Sequence, residues 1–176
     1  IKSSSINELT LLYSQKRYSQ LITELVNLPH FIKKLNFSQL MSHIKELLAA
    51  IPTHVHHLGV VWQSKRADIC YRFEMISMII SHLPAFIEGL YLQDVSTEDF
   101  TPEEVTVMGR SIPHHISRLS FSFFDSFTYE KSLIFLNEIK SKFNLDTLQL
   151  WPLVLNKEQE SNVATVFATV FRNVPP

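Results

Sequence analysis

A short apolar phrase recurs six times along the chain and constrains its fold more than any other feature of the sequence. The phrase is an apolar residue, two others, an apolar residue, one other and a third apolar residue, as in Ile32-x-x-Leu35-x-Phe37. The copies start 23 to 32 residues apart, at Ile6, Ile32, Val55, Ile87, Ile116 and Leu145. A period of this length is typical of proteins built from stacked structural repeats.

Between the phrases, the spacing of apolar residues changes to three and four, which predicts one amphipathic helix in each repeat. Thr101-Pro102-Glu103-Glu104 predicts a helix start with a capping box, and Asn156 with Gln159 predicts a similar one. Proline cannot continue a helix, so an apolar-Pro pair predicts a corner between a helix and the next strand. Four such pairs precede a phrase: Leu28-Pro29, Ile51-Pro52, Leu83-Pro84 and Ile112-Pro113.

Each repeat therefore combines a strand, a loop, a helix and a corner, and repeated β-α units form a parallel sheet with right-handed crossovers. The predicted fold is an α/β solenoid with a curved parallel sheet inside and helices outside. We expect one domain over residues 1–176, and, because the chain starts at Ile1 instead of methionine, a piece of a longer protein. An array of paired helices is the structural alternative. The predicted repeats are 6–31, 32–54, 55–86, 87–115, 116–144 and 145–176.

The phrase and its period resemble leucine-rich repeats of the ribonuclease-inhibitor type, over essentially the whole chain. The helix-to-strand join, as in Ile51-Pro52-Thr53-His54-Val55, is similar to that of leucine-rich-repeat effectors that intracellular bacterial pathogens inject into host cells by type IV secretion. This resemblance implies a protein that acts in the host cytosol by binding another protein. The family usually has Asn or Cys three residues after the third apolar position. Here that position holds Ser14, Leu40, Gln63, Val95, Phe124 and Leu153, which predicts irregular turns after the strands.

Composition and motifs narrow the function. The chain has 16 basic and 17 acidic residues, so it carries no overall basic footprint for nucleic acid. No run approaches the roughly 20 apolar residues of a membrane span. Phosphate-binding loops, nucleophile elbows and the HExxH zinc motif do not occur in the sequence. We therefore expect a non-enzymatic protein without a cofactor, whose partner is another protein.

Side chains alternate across a strand, so the residues between the apolar positions of each phrase point to the concave side of the solenoid, here called the inner face. Aligned phrases place these residues in two main rows and a further row that holds Asn7, Lys33, His56, Glu88, Ser117 and Asp146. One main row is Glu8, Lys34, His57, Gly89, Arg118 and Thr147; the other main row is Thr10, Asn36, Gly59, Tyr91, Ser120 and Gln149. Tyr, Trp and Arg often dominate binding energy at interfaces. The predicted protein-binding residues are Lys33, His57, Trp62, Glu88, Tyr91, Asp94, Arg118, Phe123, Gln149 and Trp151.

Several alternatives remain open at this point. The inner face can be ordinary solvated surface, with Trp62 and Trp151 packed over loops. A binding module can recruit a host protein, cover the active site of a partner enzyme as ribonuclease inhibitors do, or select substrates for a larger enzyme. We interpret the histidines at 54, 56 and 57 as solvated or hydrogen-bonded and not as a zinc site, and Cys70 as structural. Acidic residues near the start of the fourth helix are explained by helix capping.

Overall fold

Strands and helices alternate along the chain in a computed structural model that describes residues 7–12, 18–38, 43–61, 70–95, 100–140, 145–153 and 155–171. The strands are β1 (Glu8–Leu12), β2 (Lys34–Ser38), β3 (His57–Val61), β4 (Gly89–Val95), β5 (Arg118–Phe127) and β6 (Thr147–Leu153). The helices are α1 (Tyr18–Val26), α2 (Ile44–Ala49), α3 (Cys70–Ser81), α4 (Pro102–Ser111), α5 (Tyr129–Ile139) and α6 (Lys157–Phe171). Each repeat thus supplies one strand and one helix, as the phrase and the helical spacing predict.

The six strands form one parallel sheet in chain order. Their register follows the two aligned rows: Lys34 pairs with His57, His57 with Gly89, and Gly89 with Arg118. The predicted α/β leucine-rich-repeat solenoid is confirmed. The paired-helix alternative is wrong, because each phrase leads into a strand of this sheet.

The proline corners are tight turns of one repeated geometry. In each of the four, the carbonyl oxygen of the proline accepts a hydrogen bond from the N–H three residues later, at 3.0 to 3.1 Å. Two successive N–H groups then donate to one carbonyl of the preceding repeat, as His56 and His57 do to Lys33. These bonds satisfy the backbone at the corner and set the start of each strand against its neighbour.

The apolar positions of the phrase and of the helices fill the space between sheet and helices. Leu35, Leu58 and Leu90 are fully buried in one row of the sheet. Phe135 of α5 packs against Phe121 and Phe127 of β5 in edge-to-face geometry, with ring centroids 5.4 and 6.4 Å apart. This packing leaves the alternate side chains of the strands on the face that the helices do not cover, which is the inner face.

Local features confirm some details of the sequence analysis and change others. The capping box forms at α4, where Thr101 and Glu104 exchange hydrogen bonds, and Asn156 and Gln159 do the same at α6. Strands β4, β5 and β6 continue past the phrase, where each pairs with a neighbouring strand. The pairing of β4 with β5 and of β5 with β6 shifts register within this stretch, whereas the irregular turns after the strands stay a prediction.

Candidate functional site: the inner face

Two glycines open space on the inner face for larger polar side chains. Gly59 and Gly89 pair in register with Asn36 and His57, which lie on the strand before each of them. A methyl group on Gly59 would collide with the amide oxygen of Asn36, and one on Gly89 would collide with the ring of His57. The absence of a β-carbon therefore lets both side chains lean across onto the next strand.

The amino-terminal part of the inner face is a hydrogen-bonded polar group. The Asn36 Nδ2 donates to Glu8 Oε1 at 2.6 Å and to Thr10 Oγ1 at 3.3 Å. The Lys34 Nζ lies 3.1 Å from the same Glu8 oxygen. The hydrogen bond from Asn36 and the charge and hydrogen bond of Lys34 hold the pKa of the Glu8 carboxyl below its ordinary value. Glu8 is thus kept ionised and occupied by neighbours on β2.

An aromatic group lies beside it at the centre of the sheet. The Lys34 Nζ sits 4.8 Å from the centre of the Tyr91 ring, a cation–π distance, across the intervening strand β3. The rings of His57 and Tyr91 meet edge to face with centroids 6.0 Å apart. Both side chains are half-buried, so each keeps part of its surface open to a partner. We call Lys34, His57 and Tyr91 the central cluster.

Electrostatics around His57 disfavour its protonation. Partial burial is the largest cause that lowers its pKa, and the positive charge of Arg118 is the next. His56 and Lys34 act in the same direction, whereas Glu88 opposes them. The Nδ1 atom of His57 is buried and has no hydrogen-bond partner among the described residues. The imidazole is therefore partly removed from water and lies near the positive charge of Arg118.

The other predicted residues that the structure describes surround the central cluster. Arg118, at the start of β5, is exposed and pairs in register with Gly89. Lys33 and Glu88 lie one residue before β2 and β4, and both are exposed at the amino-terminal ends of these strands. The Glu88 Oε1 lies 3.9 Å from His56 Nδ1. The structure thus brings Arg118, His57 and Tyr91 together on adjoining strands, with Glu88 and Lys33 at the border.

Gln149 lies two strands from Tyr91, at the β6 edge of the sheet. Its Oε1 accepts a hydrogen bond from Ser120 Oγ at 3.2 Å. Both residues line a cavity of about 520 Å³ whose wall also includes Leu150 and Phe167. Gln149 therefore belongs to a separate groove at the end of the described array.

Four predicted binding residues have undescribed side chains. Trp62 lies outside the described residues. The backbone places Asp94, Phe123 and Trp151 in β4, β5 and β6, and their side chains lie outside the described part. Their role at the interface stays a prediction.

The prediction omitted several residues that the structure places in the site. They are Glu8, Lys34, Asn36, Gly59 and Gly89, all of which occupy the two inner-face rows. The signal that could have found them is the pair of glycines in these rows, because the chain has three glycines in total.

The corner histidines form local contacts. The rings of His30 and His54 are 4.5 Å apart, and His54 Nε2 lies 3.1 Å from the carbonyl oxygen of Pro29. Among the described residues, no group of three or more His, Cys, Asp or Glu side chains is arranged to hold a metal ion. Cys70 begins α3, and its side chain lies outside the description.

Comparison with known proteins identifies the fold class. No protein-family model and no curated protein sequence matches the chain. A solved structure of the leucine-rich repeat-containing protein LegL7 from Legionella pneumophila is similar, with a TM-score of 0.59 and 13% identity over 96% of this chain. The tropomodulin C-terminal domain of Caenorhabditis elegans is also similar, with a TM-score of 0.57 and 14% identity over 89% of this chain.

The extent of these matches differs between the two structures. The chain spans 64% of the LegL7 structure and 94% of the tropomodulin domain. Both likenesses agree with the alternating strands and helices, and the fold is a leucine-rich-repeat solenoid. Within the described residues, no helix is long and apolar enough to cross a membrane.

Proposed function

We propose that this protein is a non-enzymatic protein-interaction module that binds its partner through the inner face. The observation that carries this proposal is the central cluster, where Lys34, His57 and Tyr91 lie together and are accessible at the middle of the sheet. Tyrosine side chains such as Tyr91 are among the residues that most often anchor protein interfaces. The ten predicted residues remain the proposed extent of the surface, in one domain over residues 1–176.

A finer role follows from the resemblance of the repeat join to bacterial effectors. In this proposal the protein is secreted by a bacterium and binds its partner in the host cytosol. A leucine-rich repeat-containing protein of the bacterium Legionella pneumophila has a similar fold, so solenoids of this kind occur in bacteria. The partner is a host protein, or a bacterial enzyme that the inner face covers.

The test is an affinity capture that compares three forms of the protein. The baits are the wild-type chain, an inner-face variant with Tyr91→Ala and Arg118→Ala, and an outer control with Lys45→Ala and Lys140→Ala. Lys45 and Lys140 are exposed and lie at helices, away from the inner face. Lysates of host cells and of bacteria supply the prey, and mass spectrometry quantifies what each bait retains.

We expect the wild type and the outer control to capture one protein equally well. The inner-face variant should fail to capture it. Circular dichroism and thermal melting must show that all three baits are folded. Capture that survives the inner-face substitutions, or disappears with the outer ones, would contradict binding through this face. The identity of the captured protein separates recruitment of a host target from inhibition of a bacterial enzyme.

A further inference from the structure

The charges of the inner face are unevenly compensated. The carboxylate of Glu8 is occupied by Lys34 and Asn36, and that of Glu88 lies nearest His56. Arg118 forms no salt bridge with any residue that the structure describes. It is nevertheless exposed and lies in register with Gly89, beside the central cluster. One guanidinium is therefore left available at the start of β5, next to the strand that carries Tyr91.

The surroundings of Arg118 suit an incoming anion. Gly89 separates it from His57 in the sheet and contributes no side chain of its own. Burial is the main cause that lowers the pKa of His57, the charge of Arg118 adds to it, and the charge of Glu88 opposes it. Guanidinium groups bind carboxylates through two parallel hydrogen bonds, a geometry that ammonium groups do not provide. The exposed guanidinium and its donor geometry both favour a negatively charged group.

Building on the proposed function, we propose that the partner presents an acidic segment to the inner face, with an Asp or Glu carboxylate bound by Arg118 beside the ring of Tyr91. The Tyr91 ring supplies apolar surface next to the ion pair, which limits its exposure to water. A singly charged carboxylate matches this site better than a doubly charged phosphate, because Lys34, the cation of the central cluster, is already paired with Glu8.

The experiment uses random linear peptides displayed on phage and selected on the wild-type chain. Each selected peptide is then synthesised in its acidic form and in variants in which one Asp or Glu is replaced by the matching Asn or Gln. Binding is measured to wild type, to Arg118→Gln and to Lys45→Gln, which removes a positive charge from α2 instead. We expect wild type and Lys45→Gln to prefer one acidic position by about ten- to a hundredfold. Arg118→Gln should lose that preference.

The outcomes separate this inference from the function on which it rests. One possible result is that the peptides lose binding to Tyr91→Ala but bind wild type equally well when Asp or Glu is replaced by the amide. That result would overturn the proposed acidic segment and would leave binding through the inner face unchallenged. An acid preference that Arg118→Gln retains would also overturn it. Binding that Tyr91→Ala and Arg118→Gln both leave unchanged would contradict the proposed function as well. Stronger binding of phosphoserine peptides than of acidic ones would assign the site to phosphorylated partners.

Discussion

At the scale of single residues, the inner face depends on two glycines, because a β-carbon at either position would collide with a neighbouring side chain. Gly59 and Gly89 each lie beneath a neighbour's side chain, and two polar groups are oriented by the space that they leave. Asn36 is the more constrained of the two, since it is 9% exposed and donates to both Glu8 and Thr10. A change in one glycine therefore acts on hydrogen bonds two strands away.

We predict that Gly59→Ala lowers the free energy of unfolding by about 1–3 kcal/mol, the usual cost of adding atoms to a filled space. The new methyl group displaces Asn36 from its hydrogen bonds to β1. Urea denaturation measures the loss. In an Asn36→Ala background the same substitution should cost much less, because the colliding amide is gone. An equal cost in both backgrounds would show that the strain lies elsewhere.

Sequence reasoning reaches these residues only in part. Aligning the phrases predicts which residues are neighbours across strands, because the register follows the repeat. It does not predict that Lys34 reaches past β3 to Tyr91, since that reach depends on side-chain orientation over Gly59. Arg118 and His57 were predicted individually, whereas their shared electrostatics emerge only from the folded arrangement.

At the scale of elements, the helix starts and the proline corners are the parts of the repeat that the sequence predicts best. Both depend on residues close in sequence, namely Thr101 with Glu104 and the proline with the residue three positions later. The strand ends are less predictable. Strands β4 to β6 continue past the phrase because pairing with a neighbouring strand extends them, and that gain is not visible in one repeat alone.

The capping box gives a prediction at this scale. Thr101→Ala should lower the free energy of unfolding by about 1 kcal/mol, because the backbone N–H of Glu104 loses its acceptor. Thr165→Ala is the matched control, since Thr165 lies within α6 and its hydroxyl donates to the carbonyl of Ser161 in the preceding turn. Chemical denaturation should show that the control is neutral or slightly stabilising. Equal losses for both variants would contradict a capping role.

At the scale of the whole molecule, the histidines make stability depend on pH. Partial burial is the largest cause that lowers the pKa of His54 and of His57 below the ordinary 6.5. The charges of His30, Lys33 and His56 act in the same direction on His54, whereas its hydrogen bond to Pro29 opposes them. The folded protein therefore binds fewer protons than the unfolded chain, so stability rises with pH in this range.

We predict that the free energy of unfolding falls as the pH drops below about 6.5. The contribution of both imidazoles is fully present above pH 6.5 and is lost as the pH falls through their folded-state pKa values. Urea titrations at several pH values measure the slope. His54→Gln with His57→Gln should flatten it, and His114→Gln, at an exposed corner, should not. An unchanged slope in the double variant would assign the effect to other groups.

The proline corners have a consequence for how such a chain changes over generations. All four have the same length and the same hydrogen bond, whereas the phrases that they precede are 23 to 32 residues apart. Recombination between two corners would insert or delete a whole repeat without altering the strand pairing on either side. The corners are thus equivalent recombination points, and a lineage can widen or narrow the inner face by one strand at a time.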